Sequence, residues 1–195
     1  MFIQTEDTPN PQSMKFLPGE PILGEGALGM DFPSRETAGM SPLAQSLFEV
    51  EGVAGVYLGA NFVTVTKEAA VEWMHVKPAI LGAIADHLLA GIPIILEGAK
   101  SSAGQPATSL DEYEGEDREV VEQIIELIDT RVRPAVAQDG GDIVFKHYEP
   151  RTGVVFLSLH GSCSGCPSST MTLKAGIENM LKHYVPEVVK VEAVA

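Results

Sequence analysis

The stretch Val154-Val155-Phe156-Leu157-Ser158-Leu159-His160-Gly161-Ser162-Cys163-Ser164-Gly165-Cys166-Pro167-Ser168-Ser169-Thr170 decides how this chain is read. A strand-like run, Val154 to Leu159, enters a loop of glycine and serine, and Pro167 then suits the first position of a helix reaching about Tyr184. The expected buried stripe of that helix is Leu173, Ile177, Met180, Leu181 and Tyr184. Upstream, Ile143 to Tyr148 is strand-like and Pro150-Arg151-Thr152-Gly153 is a turn, a connection so short that it permits only antiparallel pairing. Earlier still, Val121, Ile124, Ile125, Ile128, Val132, Ala135 and Val136 recur at helical spacing over 118–137. Pro134 removes one backbone donor there and predicts a kink or a tighter last turn. Gln138-Asp139-Gly140-Gly141 stops the helix with glycine at its C-terminal side, and a final strand is expected from Val188 to Val194. Helix, strand, strand, cysteine loop, helix, strand describes a small α+β domain.

The only two cysteines of the chain are Cys163 and Cys166. Such a pair is half of a tetrahedral metal site or half of the shell around an iron–sulfur cluster, which a second chain would complete. It is equally the arrangement of a reversible dithiol. A thioredoxin-like pair also lies at a helix start, but it follows a strand of a parallel unit, whereas here an antiparallel hairpin precedes it. Ser164 and Gly165 add no bulk inside the pair, and the amides of Ser168, Ser169 and Thr170 lie at the positive end of the helix dipole. That field is expected to lower the thiol pKa values. Buried structural cysteines, a zinc bridge between chains and His160 as a third ligand are weaker readings. Asp139 and Asp142 flank two glycines, which suits a helix-to-strand turn with local hydrogen bonds better than a cation site.

With 195 residues and 45% hydrophobic content, the chain can build one large domain or two small ones. A net charge of −14 argues against sequence-independent binding to nucleic acid or to an anionic membrane. No apolar run is long enough to cross a bilayer, and Met1 to Asp7 lacks both a secretory signal and an Arg-rich transit pattern. The expected compartment is the cytoplasm of a bacterium, or the mitochondrial matrix for a processed eukaryotic form. The residues 98–109 are small and polar, and five carboxylates follow between Asp111 and Asp117. We therefore expect two small α/β domains, 1–97 and 118–195, joined by a flexible acidic linker over 98–117.

In the first half, Phe2 to Thr5 and Met14 to Leu17 read as strands around a Pro-Asn-Pro turn. Ser41 caps a helix that Pro42 opens and that ends near Glu49. Val53 to Leu58 and Phe62 to Thr66 alternate as a hairpin, and Lys77-Pro78 opens a helix with Ile80, Leu81, Ile84 and Leu88 buried. His75 and His87 read as surface or satisfied histidines and Trp73 as a core or hinge residue. No catalytic constellation, phosphate loop or dinucleotide fingerprint appears.

Val132-Arg133-Pro134 running into Asp139-Gly140-Gly141-Asp142, and then Leu159 to Ser169, resembles the C-terminal domain of the NifU-like (Nfu) iron–sulfur scaffold proteins. Thr8-Pro9-Asn10-Pro11, Met14-Lys15-Phe16, Ser41-Pro42-Leu43-Ala44, Gly52-Val53 and Phe62 to Lys67 resemble the Nfu N-terminal domain. Full-length NifU proteins carry further cysteine-bearing domains, so the resemblance is to the shorter Nfu type. It implies a non-enzymatic carrier whose Cys163 and Cys166 bind an iron–sulfur cluster, 4Fe–4S ahead of 2Fe–2S, bridging two chains as a homodimer. It further implies upstream cluster-assembly machinery as donor, client apo iron–sulfur proteins as acceptors, and a first domain that selects partners. The competing function is a dithiol/disulfide oxidoreductase with Cys163 as nucleophile and Cys166 resolving.

Overall fold

The computed structural model describes residues 2–24, 27–96, 110–164 and 167–194. Its N-terminal half is a five-stranded sheet with two helices on one face. The strands are β1 (Gln4–Asp7), β2 (Ser13–Leu17), β3 (Met30–Phe32), β4 (Val53–Leu58) and β5 (Val63–Lys67), in the spatial order β1-β2-β5-β4-β3. Every neighbouring pair is antiparallel. Helix α1 (Pro42–Phe48) starts where expected, with the Ser41 hydroxyl accepting the Ala44 amide at 3.1 Å. Helix α2 spans Trp73–Leu89 and so begins ahead of Lys77, carrying Pro78 inside it. Proline costs a backbone hydrogen bond there, but Val76, Ile80 and Ile84 of one helical stripe are buried against the sheet, and burial outweighs the loss. The edge strand β3 has no counterpart in the sequence reading; three residues are too few to show an alternation.

Strand periodicity divides this sheet into two different faces. Met14, Phe16, Val56, Leu58, Val63 and Val65 point to α1 and α2 and form the first core. Lys15, Tyr57 and Thr64 point the other way, and all three are buried too. The second half of the chain covers them.

That half holds α3 (Glu116–Leu127), a π turn (Ile128–Val132), α4 (Arg133–Gln138), β6 (Gly141–Glu149), β7 (Val154–Gly161), α5 (Pro167–Tyr184) and β8 (Lys190–Val194). Strands β6 and β7 form the expected antiparallel hairpin, and α5 carries the chain across to β8, which pairs parallel to β7. Val121, Ile124, Ile128, Val132 and Val136 pack with Ile143, Phe145, Val155, Leu157, Ile177 and Leu181 into a second core, separate from the first. The chain is thus α+β with two cores. In place of the tighter last turn expected at Pro134, the helix widens into a π turn just ahead of it. The Arg133 amide reaches the Ile128 carbonyl, and the proline follows within the first turn of α4, where its missing donor matters least. Tyr184 leaves the expected buried stripe: it is 45% exposed, with the Arg131 guanidinium 4.8 Å from its ring centroid.

Most of the expected linker, 98–109, lies outside the described residues. Its last part belongs to the C-terminal unit: Leu110–Glu112 is a short 3-10 turn and Tyr113 is buried. The Tyr113 hydroxyl accepts the Tyr148 amide at 2.9 Å and lies 3.0 Å from the Tyr148 carbonyl, pinning the segment along β6.

Candidate functional site

The cysteine loop hangs between the end of β7 and the start of α5, beside the turn that joins α4 to β6. Gly140 ends α4 in a left-handed conformation, φ 77°, and its amide returns to the Ala137 carbonyl at 3.1 Å. Gly141 then pairs with Gly161 across the hairpin, and Asp142 pairs with His160. The Ser162 amide donates to the Gly140 carbonyl at 3.2 Å and the Ser162 hydroxyl to the Asp139 carbonyl at 2.5 Å, so the two glycine turns are stitched together. Ser164 closes a turn on the Gly161 carbonyl at 3.1 Å, and the Thr170 hydroxyl of α5 holds the Cys163 carbonyl at 3.1 Å.

Cys163 sits inside this frame, only 7% exposed and packed with the second core. A Cβ on Gly141 would lie 2.5 Å from its Sγ, so the bare glycine leaves the room the sulfur occupies. The expectation of a lowered thiol pKa is reversed at this residue. Burial pushes the Cys163 thiol up to about 11, with the nearby Asp139 and Asp142 carboxylates adding to it and a hydrogen bond from Ser162 working the other way. Cys166, the second expected ligand, lies outside the described residues, and of Pro167, Ser168 and Ser169 only the helical backbone is described.

Asp142 is the electrostatic centre of the neighbourhood. Arg133 grips it with both arms of the guanidinium, Nε to Oδ1 at 2.8 Å and Nη2 to Oδ2 at 2.9 Å, and its own neighbour Ile143 donates an amide at 2.8 Å. From the N-terminal sheet Tyr57 donates its hydroxyl to Oδ2 at 3.0 Å. The carboxylate is 5% exposed, and these four bonds are what make its burial tolerable. Bonding to Asp142 holds Arg133 firmly protonated, and burial followed by the Asp142 charge drives the Tyr57 pKa far above its usual value. Of the local hydrogen bonds expected of the two aspartates, Asp142 accepts one, from the Ile143 amide; its other partners, Arg133 and Tyr57, are farther off in the chain, and the bond to Tyr57 joins the two halves.

Five more contacts cross the same seam. The Thr64 hydroxyl donates to the Gly140 carbonyl at 2.6 Å, Lys15 Nζ to the Gln138 carbonyl at 3.2 Å and Asn10 Nδ2 to the Ser164 carbonyl at 3.4 Å. The Gly161 amide points at Asp31 Oδ1, 3.5 Å away. His160 Nδ1 lies 3.4 Å from Asp31 Oδ2 without hydrogen-bond geometry, which places it as a strand-end residue against the first domain. Among the described residues, no three His, Cys, Asp or Glu side chains gather to hold a metal ion. Sequence reasoning missed Tyr57, Thr64, Lys15 and Arg133 as site residues. For Lys15, Tyr57 and Thr64 the signal was present as polar groups alternating with core residues along β2, β4 and β5, whereas Arg133 lies in α4 and its grip on Asp142 had no such signal.

Comparison with known proteins follows the same division. Residues 3–91 match the family described as "Scaffold protein Nfu/NifU N terminal", and residues 124–192 match the "NifU-like domain". The relatives include the proteins named "NFU1 iron-sulfur cluster scaffold homolog, mitochondrial" of Drosophila sechellia and Drosophila erecta. They are 51% and 52% identical to this chain over 194 residues, spanning 100% of it and 65% of each relative. A solution structure titled as a NifU-like protein from Saccharomyces cerevisiae is 29% identical, with a TM-score of 0.46 over 50% of this chain and 86% of that one. With its two matched domains in this order, the chain belongs to the Nfu-type NifU-like family.

Proposed function

We propose that this chain is an iron–sulfur cluster scaffold and carrier. Cys163 and Cys166 of two copies ligate one cluster, 4Fe–4S in our reading, which the protein receives from upstream assembly machinery and passes to client apoproteins. The observation that carries the reading is the cysteine loop itself: it holds both cysteines of the chain at a helix start, with the bare Gly141 leaving room for the Cys163 sulfur. The names of the relatives support it, and the word mitochondrial in them favours the mitochondrial matrix of the two compartments considered. Among the described residues no helix is long and apolar enough to cross a membrane.

In this reading the cluster is cargo. A dithiol oxidoreductase would need Cys163 as a thiolate near neutral pH, and a thiol pushed up to about 11 works against that. A metal centre overcomes the same obstacle by displacing the proton as it binds. The test is anaerobic reconstitution with iron and sulfide of the wild type, Cys163→Ser and Cys166→Ser. Each single variant is expected to lose stable cluster absorption while keeping its secondary structure. Full cluster content in either variant would remove that cysteine from the ligand set. Disulfide-reduction turnover by the apoprotein would favour the oxidoreductase instead.

A further inference from the structure

The two cores of this protein are joined by contacts that converge on the glycine turn between α4 and β6 and on the cysteine loop stitched to it. Asp31 reaches the amide of Gly161, ahead of Cys163, and Asn10 reaches the carbonyl of Ser164, just after it. Thr64 and Lys15 hold the carbonyls of Gly140 and Gln138 in the turn against which the loop is stitched. Tyr57 binds the carboxylate of Asp142 on the same turn. Fit is close as well as polar. Cβ atoms added at Gly140 and Gly161 would lie 2.8 Å from the Thr64 hydroxyl and 3.2 Å from the Tyr57 ring. Glycines here let the first domain approach the loop's backbone.

The thiol held between these contacts faces inward, at 7% exposure. A cargo shared by two chains requires the sulfurs of both to face outward and toward each other across a two-fold axis. The docked arrangement and the loaded arrangement therefore make opposite demands on one loop. We infer that the N-terminal domain is a clamp for its own cysteine loop: docked, it keeps Cys163 turned in, and cluster loading requires the clamp to let go. The surface formed by Asn10, Lys15, Asp31, Tyr57 and Thr64 is then a binding face whose partner is the glycine turn and cysteine loop of the C-terminal domain. Part of it, Asn10 and Lys15, falls in the Thr-Pro-Asn-Pro and Met-Lys-Phe segments. The inference rests on the carrier reading for what the released loop receives, and on the contacts above for the clamp itself.

The test uses the full-length apoprotein and the double variant Tyr57→Phe/Thr64→Val. Both changes keep shape and remove only hydroxyls that cross the seam. Each protein is pulse-labelled with iodoacetamide and the label on Cys163 quantified by peptide mass; circular dichroism checks that both domains remain folded. Labelling is expected to speed up by about tenfold or more in the variant, equivalent to ~1.4 kcal/mol taken from the docked state. Lysine-side weakening by Lys15→Met should act in the same direction, which guards against a local effect of either hydroxyl. Unchanged labelling in both variants would overturn the clamp. Anaerobic loading is then followed in time, and the variant should load faster to the same final content. Faster labelling with no faster loading would overturn the link between release and loading. Faster labelling with no cluster on wild type or variant would leave the clamp standing and remove the carrier reading instead.

Discussion

Tyr57 and Asp142, 85 residues apart in sequence, share a hydrogen bond of 3.0 Å that ties the N-terminal sheet to the glycine turn of the C-terminal domain. The same carboxylate neutralises Arg133, so one side chain balances a half-buried guanidinium and anchors a domain seam. Asp142→Asn removes the charge while keeping the shape. It should cost about 2 kcal/mol of stability, the range for hydrogen bonds to charged partners, read from urea denaturation of the full chain. A change of less than about 0.5 kcal/mol, the usual size of a surface substitution, would mean that the network contributes little.

Gly141 allows a sharper contrast. Alanine there would put a Cβ 2.5 Å from Cys163 Sγ and 2.9 Å from the His160 carbonyl, so the thiol or the hairpin must move. Gly141→Ala is expected to lower stability by about 1–3 kcal/mol, as overpacking does, and to reduce the cluster content after reconstitution. Gly176→Ala in α5 meets nothing within 4 Å and should be neutral or stabilising. Equal behaviour of the two variants would show that Gly141 does not shape the site.

Tyr113 sets where the C-terminal domain begins. Its hydroxyl serves the amide and carbonyl of Tyr148, so Tyr113→Phe leaves a buried amide without its partner and should cost about 1–3 kcal/mol. A fragment of residues 110–195 should accordingly unfold at higher denaturant than one of 118–195, which lacks the tyrosine. Coincident denaturation curves for the two fragments would contradict this.

Ser41 offers a check confined to the first domain. Its hydroxyl accepts the Ala44 amide at 3.1 Å and donates to the Ile94 carbonyl at 2.7 Å, fastening the segment after α2 to the start of α1. Ser41→Ala should cost about 1–2 kcal/mol, at the upper end for an N-cap because a second bond is lost. Labelling of Cys163 while the protein is folded should not change, since Ser41 lies in the other core.

Much of this architecture was legible. The β6–β7 hairpin, α5 beginning at Pro167, the Ser41 cap and the glycine end of α4 follow from local rules, and local rules act on neighbours in sequence. What the sequence hid depends on distant partners. Pro78 lies within α2 because a buried stripe overrides it, and Tyr184 stays exposed, its ring against Arg131 in place of the core. A Gly/Ser loop suggested an exposed Cys163 with a lowered pKa, but the thiol folds back beside Gly141 into the second core. The seam was the hardest feature to foresee, because Lys15, Tyr57 and Thr64 look like solvent-facing positions of strands until a second domain covers them.

The central claim is that the pair in each chain is half of a shared site. Its most direct measurement is iron and sulfide content per chain, with mass from light scattering, on anaerobically reconstituted full-length protein. The expected result is one cluster per two chains and a shift from the apo mass to that of a dimer, reversed when the cluster is chelated. A stable four-iron cluster on a single chain, in buffer free of small-molecule thiols, would contradict it.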